Sequence, residues 1–128
     1  KLYLPVDTAK DAPNVATQEA DANSLLSKTR KFIELRHTEP ALANYAEFVP
    51  LFAKENTYPF IYARANNNDV VLVMLNPSGN NVEASFEIST DFSSTKVLAG
   101  DTLNIEHNGN TVSVSMPGQS YSIVKLIR

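Results

Sequence analysis

Cysteine and tryptophan are both absent from the 128-residue chain, and only four glycines occur. Without a thiol the chain can form no disulfide, thiolate zinc site, iron–sulfur cluster or cysteine nucleophile. The glycines stand apart, at positions 79, 100, 109 and 118, so the chain has no glycine-rich phosphate-binding loop. A cysteine-free composition is compatible with the cytosol and the periplasm alike, and we favour an extracytoplasmic location.

Long runs of charged or of apolar residues are missing as well. Eleven Lys and Arg residues against 14 Asp and Glu residues give a net charge of −3. Because the cations are not clustered, as binding to nucleic acids or anionic membranes requires, we expect no nucleic-acid partner. No apolar stretch approaches the roughly 18 residues of a membrane-spanning helix, so we expect no membrane span.

The chain has enough apolar residues for a folded core. Hydrophobic residues make up 43% of the sequence, and a chain of this length hides roughly two-thirds of the surface that its unfolded form exposes. It begins at Lys1, without an initiator methionine or the apolar segment of a signal peptide. We therefore expect it to be a piece of a longer protein.

The first third of the chain predicts a loop and one helix. Residues 1–22 contain two prolines and follow neither a helical nor a strand period, which predicts a loop with a short extended piece at residues 2–4. A helix is predicted from residue 23, where Asn23 or Ser24 can cap it, until Pro40 ends it. One face of this helix carries Leu25, Leu26, Thr29, Phe32, Ile33 and Arg36, and Leu35 widens its apolar stripe.

The chain after Pro40 breaks into short β-type runs separated by Gly, Asn, Pro and Ser residues. We predict strands near residues 46–52, 58–65, 70–76, 81–88, 95–99, 102–107, 111–116 and 120–127. Turn residues at 66–69 and 107–110 predict two antiparallel hairpins. The run 70–75 is apolar throughout, which predicts a central strand buried on both faces.

These patterns predict a mainly β chain: an antiparallel β-sandwich of about eight strands, of Greek-key type, preceded by a loop and one amphipathic α-helix. We divide the chain into a loop-and-helix part, residues 1–44, and a β-sandwich domain, residues 45–128.

Four pieces of the first part resemble, in order and spacing, the end of the catalytic domain of the α-amylase family, glycoside hydrolase family 13. They are residues 14–18 (NVATQ), 21–26 (DANSLL), 30–36 (RKFIELR) and 39–42 (EPAL). In that family an N-V-x-x-Q loop follows the last barrel strand, a D-x-x-S-L/I-L start opens the eighth barrel helix, and L-R-x-x-x-P-A-L closes it. The loop is most similar to members that act on short α-glucosidic oligosaccharides.

The resemblance continues, more weakly, into the β part. Residues 59–64 (PFIYAR) and 70–77 (VVLVMLNP) are similar to a hairpin of that family's C-terminal β-domain. The resemblance implies that residues 1–44 are the end of a catalytic barrel domain and that residues 45–128 are the C-terminal domain. A whole α/β barrel needs roughly 250 residues, so the rest of the barrel, in the same polypeptide, is the implied partner.

The resemblance implies a parent enzyme that hydrolyses or transfers α-glucosidic bonds in α-glucans or in malto- or isomalto-oligosaccharides. The family's three catalytic carboxylates lie on earlier barrel strands, which this chain lacks, and none of its 14 acidic residues matches their motifs. We therefore assign no catalytic, substrate-binding or metal-binding residue and no cofactor, and we expect the chain alone to be inactive.

Other chemistry has little support in the residues. Glu83, Glu87, Asp91 and Asp101 are scattered, as solvated surface carboxylates are. His37 and His107 fall at a helix end and a hairpin turn, and no G-x-S-x-G motif accompanies them. The run at residues 66–69 (NNND) offers oxygen ligands but lacks the recurrent carboxylates of a tight Ca²⁺ site, which favours a turn.

The aromatic residues remain as a candidate for function, since an apolar sugar face can stack on an exposed ring. Apart from Phe32 of the predicted helix, they are Tyr3, Tyr45, Phe48, Phe52, Tyr58, Phe60, Tyr62, Phe86, Phe92 and Tyr121. Most fall on predicted strands, so we expect them to fill the sandwich core or its seam with the barrel, with weak surface binding of α-glucan as the alternative.

Two other functions stay open from the sequence. The chain could be a self-standing carbohydrate-binding module or an interaction domain unrelated to sugars. The helix distinguishes them, because a binding module needs no apolar helix ahead of its strands. If the barrel is missing, part of the helix stripe stays uncovered and favours self-association of the fragment.

Overall fold

The computed structural model describes residues 3–128, which fall into two compact units, one up to residue 36 and one from residue 37 to residue 128. Lys1 and Leu2 lie outside the described residues, and with Leu2 the start of the extended piece expected at residues 2–4. Tyr3 and Leu4 form a bend and are exposed. In the described part of the chain, no helix has the length and apolarity needed to cross a membrane.

The first unit contains a short helix that the sequence analysis missed. Helix α1, Val15–Ala20, lies in the segment predicted as a loop. Its N-cap is Asn14, whose side-chain oxygen accepts a hydrogen bond from the backbone N–H of Thr17 at 2.9 Å. Six residues are too few to show a helical period, so only the capping asparagine could have indicated it.

The predicted main helix is confirmed as α2, Leu25–Thr38, which begins in the first unit and ends two residues before Pro40. Ser24 caps it, since its hydroxyl oxygen accepts a hydrogen bond from the backbone N–H of Ser27 at 3.2 Å. The side-chain oxygen of Gln18 accepts another from the N–H of Leu26 at 3.1 Å. The residues that carry the family resemblance in this region are thus used in capping.

The second unit is an antiparallel sandwich of two sheets, as predicted. Its strands are β1 Glu47–Phe52, β2 Phe60–Ala65, β3 Val70–Asn76, β4 Val82–Glu87, β5 Ser94–Gly100, β6 Asn104–Asn108, β7 Thr111–Met116 and β8 Ser120–Ile127. The larger sheet has the order β1-β2-β3-β8-β5 and the smaller sheet β4-β7-β6. Strand β1 is an edge strand, and its register with β2 shifts between Pro50 and Phe52.

The core lies between the sheets and is aliphatic. Side chains at alternate positions of each strand enter it, among them Ile61, Leu72 and Val124 from the larger sheet and Val112 and Val114 from the smaller. The residues of β3 from 70 to 74 are all buried, which confirms the prediction of a central strand.

Both predicted hairpins are present. Between β2 and β3, the side-chain oxygen of Asn66 accepts hydrogen bonds from the backbone N–H groups of Asn68 at 3.1 Å and Asp69 at 2.8 Å. Between β6 and β7, Gly109 has a φ of 59°, which glycine adopts without strain. Turn chemistry therefore accounts for the asparagines at these positions.

Candidate functional site

The larger sheet has an apolar outer face, on the side away from the core. Because side chains alternate along a strand, the neighbours of the core residues in β2, β3 and β8 point to this side. The apolar residues of this outer face, of which Val71 and Val73 are buried, are Phe48, Phe60, Tyr62, Val71, Val73, Leu75, Tyr121 and Ile123. An outward-facing surface of this kind, rich in β-branched and aromatic residues, is typical of a contact surface.

Three aromatic rings form a cluster on the β1–β2 part of the outer face. The ring centroids of Phe48 and Tyr62 are 4.8 Å apart, and those of Phe60 and Tyr62 are 5.4 Å apart. Their tilted arrangement is favourable for aromatic pairs. Phe48 is 54% exposed, so the cluster presents apolar surface to solvent.

Residues 39–46 are fixed against the same side of the sheet. The 3₁₀ turn Pro40–Leu42 contacts β2 and β3 and buries Ala41 completely. The guanidinium of Arg64 donates hydrogen bonds to the carbonyl oxygens of Ala43 and Ala46. Residues 37–44, which the sequence analysis groups with the first domain, therefore lie in the second compact unit.

An ion-pair cluster holds the start of this segment. The ammonium of Lys125 lies 3.0 and 3.1 Å from the two carboxylate oxygens of Glu39, and 3.1 Å from Asp69. Glu39 is buried. The hydrogen bond to Glu39 raises the pKa of Lys125 above its ordinary value, aided by Asp69 and opposed by burial. The cluster thus keeps Lys125 charged and ties residue 39 to strand β8.

Helix α2 carries a second uncovered apolar surface. None of its residues is buried, and Leu25 and Ile33 of the predicted stripe are 76% and 55% exposed. An apolar stripe of this width normally faces a core. Leu26 and Leu35 of the same stripe are half-buried, so the surface at Leu25 and Ile33 is the part that faces solvent.

The scattered carboxylates do not converge. Glu83 and Glu87 point outward from β4, and Asp101 accepts a hydrogen bond from the backbone N–H of Tyr121 at 3.2 Å. Asp91 is exposed in the segment before β5. Among residues 3–128, no three His, Asp or Glu side chains are grouped as metal ligands.

The two histidines also lie in places that do not suggest catalysis. His37 is exposed near the end of α2. The ring of His107 lies 4.5 Å from the ring of Phe92, centroid to centroid, at the β6 end of its hairpin. Neither arrangement is that of a histidine paired with a nucleophile and an orienting carboxylate.

Most of the aromatic residues do not lie in the sandwich core, which was one of the two places where we expected them. Of the ten, only Phe86 is fully buried in the core, while Phe52 and Phe92 pack partly against it. In β1 and β2 the aromatic positions alternate with the core positions, which sends most of the rings to the outer face. The two-residue period of a strand predicts that the side chains alternate between two faces, but it does not predict which of the two faces the other sheet covers.

The chain was compared with known protein families and with curated proteins. No family model matches the chain. A curated relative, the maltogenic alpha-amylase of Bacillus acidopullulyticus, is 30% identical over 91 residues, which are 70% of this chain and 16% of that protein. The chain therefore spans about a sixth of the length of this relative.

Solved structures share the fold. A variant of isomaltulose synthase from Erwinia rhapontici NX5, in complex with D-glucose, is 26% identical with a TM-score of 0.67, over 90% of this chain and 20% of that one. The debranching enzyme of Nostoc punctiforme is 22% identical with a TM-score of 0.65, over 87% of this chain and 23% of that one. In each case the similarity covers nearly all of this chain and a small part of the relative.

Proposed function

We propose that this chain, which corresponds in sequence and fold to the C-terminal part of α-amylase-family (glycoside hydrolase family 13) enzymes, covers and stabilises the catalytic barrel of its parent polypeptide. Residues 1–44 would complete the barrel domain, with residues 37–44 at its junction with the β-domain, and residues 45–128 would form the domain that packs against it. The chain would contribute no catalytic carboxylate. The parent would act on α-glucans or on malto- or isomalto-oligosaccharides.

The aromatic cluster on the outer face carries the proposal. Phe48, Phe60 and Tyr62 form a continuous apolar surface, and Phe48 is more than half exposed. Burying such rings against a partner is favourable by roughly 25 cal/mol per Å² of apolar surface. The partner we propose is the missing barrel, because the polypeptide that leads to it is fixed on this side of the sheet.

That anchoring supports the choice of partner. Glu39 is bound to Lys125, and Arg64 binds the carbonyl oxygens of Ala43 and Ala46. Residues 39–46 are therefore held on the outer side of the larger sheet. We propose that the barrel, which this segment joins to the β-domain, meets the sheet on that side.

The stripe of α2 gives a second, independent reason to infer a missing neighbour. The exposed Leu25 and Ile33 would be buried if α2 packed against barrel strands, as the last helix of an α/β barrel does. Without the barrel, the same stripe favours self-association of the isolated chain, which stays a prediction. A self-standing carbohydrate-binding module would have no use for this stripe.

The proposal is tested by substituting Phe48→Ser in two contexts, the full parent polypeptide and the 128-residue chain alone. In the parent we expect faster thermal inactivation of the glycosidase, with kcat at low temperature unchanged, because the barrel contact loses an apolar ring. In the isolated chain, where Phe48 is already exposed, we expect less than about 1 kcal/mol of destabilisation.

The control is Ser113→Ala on the exposed face of the smaller sheet, where the hydroxyls of Ser85 and Ser113 lie 2.7 Å apart. We expect it to leave thermal inactivation of the parent unchanged. Equal destabilisation by Phe48→Ser in both contexts would refute the barrel contact, since the ring would then stabilise only the β-domain itself.

A further inference from the structure

The connection between β1 and β2 forms a concavity that borders the proposed barrel contact and shares only Phe60 with the aromatic cluster. Its volume is about 600 Å³, and it is lined by Ala53, Lys54, Asn56, Thr57, Tyr58 and Phe60. This volume is within the range of about 300–1,000 Å³ of ligand sites. The connection consists of residues 53–59, between the end of β1 at Phe52 and the start of β2 at Phe60, and Phe52 and Ile61 are the last pair of the ladder at this end.

Hydrogen bonds fix the shape of this connection. The backbone N–H of Thr57 donates to the carbonyl oxygen of Lys54 at 3.3 Å, and the Thr57 hydroxyl donates to the carbonyl oxygen of Glu55 at 3.1 Å. Asn56 has a φ of 52°, a left-handed conformation that asparagine tolerates better than most residues. The wall of the concavity is therefore a defined turn.

Polar groups around the concavity are available to a ligand. Across residues 3–128, the side-chain amide of Asn56 and the hydroxyl of Tyr58 have no hydrogen-bond partner within the chain. The ammonium of Lys54 lies 4.9 Å from the centre of the Phe52 ring and forms no ion pair in this described range. The Tyr58 side chain is 49% exposed.

We propose that this concavity binds the sugar rings of a neutral oligosaccharide, with one pyranose ring stacked on Tyr58. The apolar face of a pyranose matches an exposed aromatic ring, and its hydroxyls match the amide of Asn56, the phenol of Tyr58 and the ammonium of Lys54, which forms no ion pair in the described part of the chain. None of the described residues that line the site carries a carboxylate, and a single lysine is too little charge to select an anion.

The choice of a linear α-glucan as the oligosaccharide rests on the proposed function of the parent. Binding here would hold a glucan chain on the β-domain, apart from any catalytic carboxylate. It would raise the local concentration of glucan near the parent enzyme, as a second attachment point does.

The test is a calorimetric titration of the 128-residue chain with maltoheptaose. We expect Tyr58→Ala to weaken binding about tenfold, since a stacked aromatic contact is worth about 0.5–1.5 kcal/mol beyond the apolar area it buries. Tyr58→Phe keeps the ring, so we expect a loss of about threefold or less. Asn56→Asp preserves the turn but replaces the amide donor, so we expect it to weaken binding even if Tyr58→Ala alters the loop.

Tyr45→Ala is the matched control, because Tyr45 is an exposed tyrosine outside this concavity. We expect it to bind maltoheptaose as the unsubstituted chain does. No binding by the unsubstituted chain at millimolar maltoheptaose, or a loss caused by Tyr45→Ala and not by Tyr58→Ala, would overturn the site. Neither result would contradict the proposed barrel contact, because that contact is tested separately, by the thermal inactivation of the parent enzyme with Phe48→Ser.

Discussion

Replacing Lys125 by methionine tests the ion-pair cluster that fixes residue 39. The substitution keeps the apolar stem of the side chain and removes the ammonium, which lies 3.0 and 3.1 Å from the carboxylate oxygens of Glu39. Glu39 then remains buried without its counter-charge. The expected result is a loss of stability of the β-domain, with its fold retained.

The magnitude follows from the burial of the partners. Side chains of Glu39, Lys125 and Asp69 are 9%, 23% and 27% exposed. Removing one partner of a fully buried pair costs about 3–5 kcal/mol, and an exposed pair contributes about 0–1 kcal/mol. Because water reaches part of Lys125, we expect Lys125→Met to cost about 2–3 kcal/mol, or roughly 10 °C in the unfolding midpoint.

Urea denaturation followed by circular dichroism measures this cost, with two companion variants. Asp69→Asn removes the more exposed partner and should cost only about 0.5 kcal/mol. Glu39→Gln combined with Lys125→Met removes both charges, so we expect it to recover at least about 1 kcal/mol relative to Lys125→Met alone. If the double variant is no more stable than Lys125→Met, an isolated charge is not the source of the loss and the reasoning is wrong.

The pH dependence provides a further check on the same cluster. Since the pKa of Lys125 is higher in the folded state than in the unfolded state, its stabilisation is complete below the unfolded value of 10.5 and is lost as the pH rises through the folded value. The stability difference between the unsubstituted chain and Lys125→Met should therefore shrink as the pH is raised above 10.5. A difference that stays constant as the pH is raised would contradict the assignment.

Two further predictions concern the turns next to β3 and β8. A Cβ on Gly118 would overlap the backbone carbonyl of Gly79, so Gly118→Ala should destabilise by about 1–3 kcal/mol in urea denaturation, whereas Gly79→Ala, with open space around it, should be nearly neutral. Asn76 is buried and donates to the carbonyl oxygens of Asn80 at 2.9 Å and Pro117 at 2.8 Å, so Asn76→Ala should cost about 2–4 kcal/mol; a cost under about 0.5 kcal/mol would show that these bonds do not stabilise the turns.

Local patterns were sufficient to predict the strands. The alternation of Val112, Val114 and Met116 with serines and threonine predicted β7, and the asparagine-rich turns predicted two hairpins, as observed. These signals lie within a few residues of each other, so they can be interpreted without knowing how the rest of the chain folds. Helix α1 was missed because one capping asparagine and six residues show no period.

The contact surfaces could not be predicted in the same way. Glu39 and Lys125 are 86 positions apart, and nothing local to either residue indicates the other. The alternation in β2 predicts two faces, yet which face meets the smaller sheet depends on strand order, which no short pattern determines. The concavity at Tyr58 likewise depends on how the loop after β1 folds back.

Pro50 in the edge strand β1 has a consequence for the chain as a separate polypeptide. Proline has no backbone N–H, and the register of β1 shifts immediately after it. A foreign strand aligned along β1 would lack a donor at this point and meet an interrupted ladder, which disfavours sheet extension from one molecule to the next. Such protection against fibril growth would matter most while the nascent chain has its β-strands but has not yet docked.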